Sequence, residues 1–222
     1  MPFEKMTMSD GAEIEVYRAT PAGERRGGLV LIQEIFGVTE HIQELCDGYA
    51  ADGYEVLAPA LYDREHPGFR ASYDGPGLER AIELARKLHP FELSMEDTKT
   101  CVDALKAKGP VFITGYCYGG SVAFLAACRI EGIAASSGYY GSLIKNYPTE
   151  HPRCPTILHF GRFDTGIPIT DVDAVEEAQP DVTVYVYEAG HGFNSDRRKD
   201  YHDQSAVLAR ERTLALFRQN GG

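Results

Sequence analysis

Seven short apolar runs, most of them separated by stretches of helical character, constrain this chain more than any other feature. The runs are AEIEVYRA, GGLVLIQ, GYEVLAP, PVFITG, GIAASSGYY, PTILHF and VTVYVYE. Several are continuously apolar, as strands buried on both faces are. Helical patterns occupy EHIQELCDGYAADG, GLERAIELARKL, SMEDTKTCVDALKAKG and SVAFLAACRI, and a last helix is expected over about 205–219. Ser94 and Asp97 suit the N-terminus of the third of these, and Gly109 its stop. Strands alternating with helices predict an α/β fold, with a mostly parallel central sheet flanked by helices on both faces and right-handed crossovers. At 222 residues the chain is read as one domain, 1–222. Residues 60–77 are the one long irregular stretch, rich in Pro and Gly. A loop of that length after a strand is expected on the ligand-binding edge of such a sheet.

Charge and cysteine usage exclude several function classes. The formal net charge is −11, which disfavours a nucleic-acid partner because phosphate binding needs clustered Lys and Arg. No apolar run reaches the roughly 18 residues that span a bilayer, and the polar N-terminal segment has no secretory character. The five cysteines are widely spaced with no C-x-x-C pair, so neither a zinc site nor a redox dithiol is expected. A cytoplasmic protein with reduced thiols follows. Cys128, inside AFLAAC, reads as a core residue. No cofactor fingerprint and no metal-ligand spacing is present, and nothing in the sequence specifies an oligomeric state.

The segment VFITGYCYGGSVAFLAA carries the chemistry. A strand runs into a sharp turn and then a helix, with Gly115 and Gly119 two positions either side of Cys117. Such a turn forces the central residue into strained backbone geometry and demands small neighbours. The helix that follows aims N–H groups and a positive dipole end at the sulfur, favouring a thiolate and a tetrahedral oxyanion. Two partners follow in chain order. Asp164 comes just after the strand PTILHF, and His191 just after VTVYVYE begins to turn, within AGHGF. Nucleophile, acid, histidine is the order of the α/β-hydrolase fold, and both partners fall at strand ends where a shared site forms. The other six histidines lack this context, and His159, inside a strand, reads as packed.

A fourth residue stands apart. Glu34 ends the strand LVLIQ, where the following loop supplies an oxyanion N–H; that N–H is assigned to Ile35, with Tyr118 as the second donor. A carboxylate beside an oxyanion site opposes the developing charge unless it is moved or neutralised.

The chain resembles the dienelactone hydrolase family. QEIFGV, GYCYGG, GYYG, the G-x-x-D segment, AGHGF and the terminal ARERTLALF occur in that family's order and span nearly the whole chain. The resemblance implies a Cys117–His191–Asp164 triad and a small-molecule lactone or ester substrate. It further implies that Glu34 engages the resting Cys117 thiol and is displaced on substrate binding. The family's carboxylate-binding arginines are less readily placed. Position 195, four after the histidine, is Ser, with Arg197 and Arg198 out of register, and Arg80 is the nearest match to the other. Gly166 and the absence of Trp suggest a roomier pocket, with Phe36, Tyr139 and Tyr140 as expected lining residues. Two alternatives remain: a broad carboxylesterase on the same triad, and a non-catalytic thiol-sensing or binding protein.

Overall fold

The computed structural model describes residues 3–222. Eight strands form one sheet: β1 (Phe3–Thr7), β2 (Glu13–Ala19), β3 (Gly27–Ile32), β4 (Tyr54–Pro59), β5 (Val111–Tyr116), β6 (Ile133–Tyr139), β7 (Thr156–Gly161) and β8 (Thr183–Tyr187). Their spatial order is β1-β2-β4-β3-β5-β6-β7-β8. The β1–β2 and β2–β4 pairs are antiparallel and all others are parallel. Six helices connect or follow them: α1 (Glu40–Ala51), α2 (Gly75–Glu83), α3 (Phe91–Lys106), α4 (Tyr118–Arg129), α5 (Ile169–Ala178) and α6 (Asp203–Gln219). Among the described residues, no helix is long and apolar enough to cross a membrane.

The continuous apolar runs become the central strands. Every residue of β3, β4, β5 and β7 is buried, because helices cover both faces. Side chains of adjacent strand residues point to opposite faces, and the neighbouring Gly27 and Gly28 show which helices lie where. A Cβ on Gly27 would meet the Phe112 ring, which stacks on Phe217 of α6 at 4.7 Å. A Cβ on Gly28 would meet Leu105 of α3 instead. Aromatic rings buried in this way contribute about 1.5–3 kcal/mol each.

Three local expectations change. β1 was not anticipated: FEKMT is mostly exposed or half-buried and pairs at the sheet edge with β2. The irregular stretch ends at Asp74 rather than Gly77, because Pro76 sits in the first turn of α2, where a missing N–H costs nothing. α3 begins at Phe91 behind Pro90, so Ser94 and Asp97 lie inside the helix. Both are fully buried and face tertiary partners: Arg64 clamps Asp97 at 2.7 and 2.8 Å, and Ser94 bonds Tyr118. A π-helical turn, Leu84–Leu88, joins α2 to α3.

Candidate active site

The parallel strands deliver the chemistry to one edge. Glu34 and Ile35 follow β3, Cys117 follows β5, Tyr140 follows β6, Asp164 follows β7 and His191 follows β8. All are carboxyl ends of parallel strands and so lie on the same side of the sheet.

Cys117 occupies φ 55°, ψ −113°, a region that an L-residue rarely adopts and that surrounding structure must enforce. The glycines provide that enforcement. A Cβ on Gly119 would lie 2.3 Å from the Ile32 carbonyl oxygen, and one on Gly115 would lie 2.0 Å from the Gly119 oxygen. The turn therefore closes only with glycine at both positions.

His191 and Cys117 are joined, with Nε2 3.2 Å from Sγ. On the other side of the ring, Nδ1 lies 2.6 Å from Asp164 Oδ2. Asp164 is buried, and its second oxygen accepts the N–H groups of Gly166 and Ile167 at 2.8 and 3.0 Å. The carboxylate is thus held by backbone donors on one oxygen and aimed at the imidazole with the other. Burial disfavours the imidazolium, but the Cys117 sulfur and the Asp164 carboxylate outweigh it and raise the His191 pKa to about 10. The ring of Tyr140 backs the imidazole, 5.2 Å between centroids.

Cys117 and His191 open into a cavity of about 730 Å³, within the range of small-molecule sites. Leu78 and Ile82 of α2, Phe91 of α3 and Ile167 give it apolar walls. Ile35 and Tyr118 border it. The Ile35 N–H makes no hydrogen bond among the described residues, and Tyr118 begins α4, where a first-turn N–H has no carbonyl one turn back to reach.

Glu34 is fully buried beside the site, but its partner is Arg198. Arg198 Nη1 lies 3.3 Å from Glu34 Oε1, while Cys117 bonds His191. The expected contact between Glu34 and the thiol is therefore replaced by an ion pair. Burial works against the Arg198 charge, and Glu34 and then Cys117 more than offset it, raising its pKa. Arg198 also sits over the Phe36 and Tyr73 rings at 5.8 and 5.9 Å.

The remaining expectations divide. Phe36 lines the cavity. Arg80 does not: it pairs with Glu83, one turn on along α2, while Arg86 on the π-helical turn borders the cavity instead. Tyr139 also lies elsewhere, fully buried, its hydroxyl on Thr213 at 2.8 Å and its ring over His159. Tyr140 is equally buried and supports the site from behind His191. His41, Glu44 and Asp196 gather within 4.8 Å of one another, but Arg197 already donates to both carboxylates.

Known proteins resemble this chain over most of its length. Residues 14–221 match the dienelactone hydrolase family. A carboxymethylenebutenolidase of Pseudomonas putida is 31% identical over 218 residues, covering 92% of this chain and 91% of its own. A Yersinia pestis protein named "Putative carboxymethylenebutenolidase" is 33% identical, covering 96% and 86%. The crystal structure titled "Putative Dienelactone Hydrolase" from Klebsiella pneumoniae superposes with a TM-score of 0.84 at 29% identity, over 98% of both chains. The chain belongs to the dienelactone hydrolase family.

Proposed function

We propose that this protein is a cysteine-dependent hydrolase that opens a lactone or activated ester through a thioester acyl-enzyme. The observation that carries this reading is the hydrogen-bonded chain from Cys117 through His191 to Asp164 at the mouth of the cavity.

Cys117 gives its proton to His191 Nε2, and Asp164 stabilises the resulting imidazolium and fixes the ring. The thiolate adds to the substrate carbonyl carbon, whose electron pair moves to oxygen. The N–H groups of Ile35 and Tyr118 receive that oxyanion. Collapse re-forms the carbonyl and breaks the C–O bond, and the leaving oxygen takes the His191 proton. In a lactone the alcohol or enol so released stays attached to the acyl group. Water then attacks the thioester as His191 removes its proton, and the second collapse expels the Cys117 thiolate. A thiolate nucleophile suits esters with good leaving groups better than amides.

The cavity also favours a substrate carrying negative charge. Arg86 and Lys199 border it against one acid, Asp200, together with Arg198, which is paired to Glu34, in a chain whose overall charge is −11. Local charge of this kind selects an anion despite the global sign. Arg86 and Lys199 take part in no ion pair among the described residues.

The test is intact-protein mass spectrometry during turnover of a panel of dienelactone, neutral lactones and aryl esters. An acyl adduct on Cys117 that is absent from Cys117→Ala, formed best with the anionic lactone, is the expected result. Equal turnover across the panel makes the protein a broad carboxylesterase. Reversible oxidation of Cys117 without any adduct makes it a thiol sensor. Full activity in Cys117→Ala overturns the assignment of the nucleophile.

A further inference from the structure

We propose that Tyr118 is a positioning residue, held by a buried hydrogen-bond chain that runs from Glu65 through His89 and Ser94 and steadies the N–H next to the nucleophile. This inference rests on the reading of Cys117 as that nucleophile.

The chain is continuous. Tyr118 Oη lies 2.9 Å from Ser94 Oγ. Ser94 Oγ lies 2.9 Å from His89 Nε2. His89 Nδ1 lies 3.2 and 3.1 Å from the two Glu65 oxygens. Ser94, His89 and Tyr118 are all buried. The direction of the bonds is determined by chemistry. A carboxylate only accepts, so His89 donates from Nδ1. Its Nε2 is then the acceptor of a neutral ring and takes the Ser94 O–H, which leaves a Ser94 lone pair for the Tyr118 O–H. Burial pushes the His89 pKa down against the pull of Glu65, which favours that neutral ring. Every member is satisfied, and a fully satisfied buried network is rigid.

The four residues come from four places: the loop after β4, the end of the π-helical turn, α3, and the first residue of α4. The network therefore ties the elements that roof the cavity to the turn that carries Cys117. The Tyr118 ring is further gripped by Phe91, edge-on at 5.7 Å. Glycine contacts enforce the strained Cys117 backbone from within the sheet, as described above. Tyr118 constrains the same peptide from the helix side, and its own N–H is the proposed oxyanion donor. A network serving only stability would leave the catalytic step unchanged in molecules that remain folded.

The experiment compares Tyr118→Phe, Ser94→Ala and the double variant with wild type, using an aryl acetate as probe and Cys117→Ala alongside. Tyr118→Phe keeps the ring and its packing. Each single variant should lower kcat about tenfold, less than the roughly 100-fold that a 1 Å misplacement costs, with KM within about twofold of wild type. The double variant should lose no more than the worse single one, since both cut one link. Wild-type kcat in folded Tyr118→Phe overturns the proposal, as do losses that multiply in the double variant. If Ser94→Ala does not fold, kcat of Tyr118→Phe decides alone. An active Cys117→Ala would instead remove the reading of the nucleophile on which the proposal rests.

Discussion

Arg198 and Glu34 form an ion pair beside Cys117, Nη1 to Oε1 at 3.3 Å, with the Glu34 side chain 1% exposed and that of Arg198 20% exposed. A carboxylate so deeply buried depends on its partner. Removing one member of a buried pair typically costs 3–5 kcal/mol, whereas removing the charge from both costs far less. Arg198→Met should therefore destabilise the fold by about 3 kcal/mol in urea unfolding, and adding Glu34→Gln should restore most of that loss. Equal stability of Arg198→Met and wild type would show that Glu34 is neutralised by something other than Arg198.

The raised pKa of His191, about 10 against a usual 6.5, has a definite sign. The folded state holds the proton more tightly than the unfolded one. Its contribution to stability is complete below pH 6.5 and is lost as pH rises through about 10. In the proposed mechanism the same proton is delivered to the leaving oxygen, so kcat/KM should fall on an alkaline limb near that value. Asp164→Asn removes one of the groups that raise it. In that variant the limb should move to lower pH, and kcat should drop by roughly three to four orders of magnitude, as when the acid of an analogous triad is neutralised. A limb that stays in place would remove Asp164 from the account of the proton.

Much of this candidate site is legible in the sequence. The Gly115–Cys117–Gly119 spacing is a steric requirement, since either glycine's Cβ would strike backbone, and steric requirements are written directly in residue type. Asp164 and His191 were legible because parallel strands must end at a common edge. Arg198 was not, because its place depends on loop geometry. Two tight turns, Ser195 N–H to Gly192 and Arg198 N–H to Ser195, fold the chain back so that a residue seven after His191 reaches Glu34. Arg80 and Arg86 differ by which side of a helix and a π-helical turn faces inward, and a turn of that kind shifts the helical phase unpredictably. Tyr139 ends a strand whose orientation was unknown, and it points into the core. Ser94 and Asp97 resembled capping residues because capping and buried hydrogen bonding call for the same side chains.

His159 provides a test at the acid end. It lies wholly inside the core, bonded to Tyr187 Oη at 2.9 Å through Nδ1 and to Ser137 and Thr213 through Nε2. Burial, helped by the charge of Arg212, lowers its pKa to about 3. The stability it permits is full above pH 6.5 and is lost as pH falls toward 3, because the unfolded chain takes up a proton that the folded chain refuses. Wild type should lose up to about 1.4 kcal/mol per pH unit from this group in that window. In His159→Gln that part of the slope should vanish, although the variant is less stable at neutral pH. Parallel pH profiles of unfolding free energy for the two proteins would locate the acid sensitivity elsewhere, with His41 and His89, whose pKa values burial also lowers, as the remaining histidines to test.

The turn at Cys117 should tolerate almost nothing at its glycines. A methyl group at position 119 would sit 2.3 Å from the Ile32 oxygen and 2.5 Å from that of Gln33. These are backbone atoms at the end of β3, and they cannot rotate away as a side chain could. Gly119→Ala must therefore push α4 off the sheet or unwind the turn, and either route misdirects the Cys117 sulfur and the N–H groups of Ile35 and Tyr118 together. The expected cost is about 3 kcal/mol or more in unfolding free energy, with esterase activity reduced further than the folded fraction alone explains. Gly166→Ala makes a useful contrast. Its Cβ would approach only the Asp164 Oδ1 side-chain atom, at 3.3 Å, a contact that a few tenths of an ångström relieve. Circular dichroism melts and aryl ester turnover on both variants decide the matter: comparable losses in the two would mean that the turn does not depend on the close approach between Gly119 and β3.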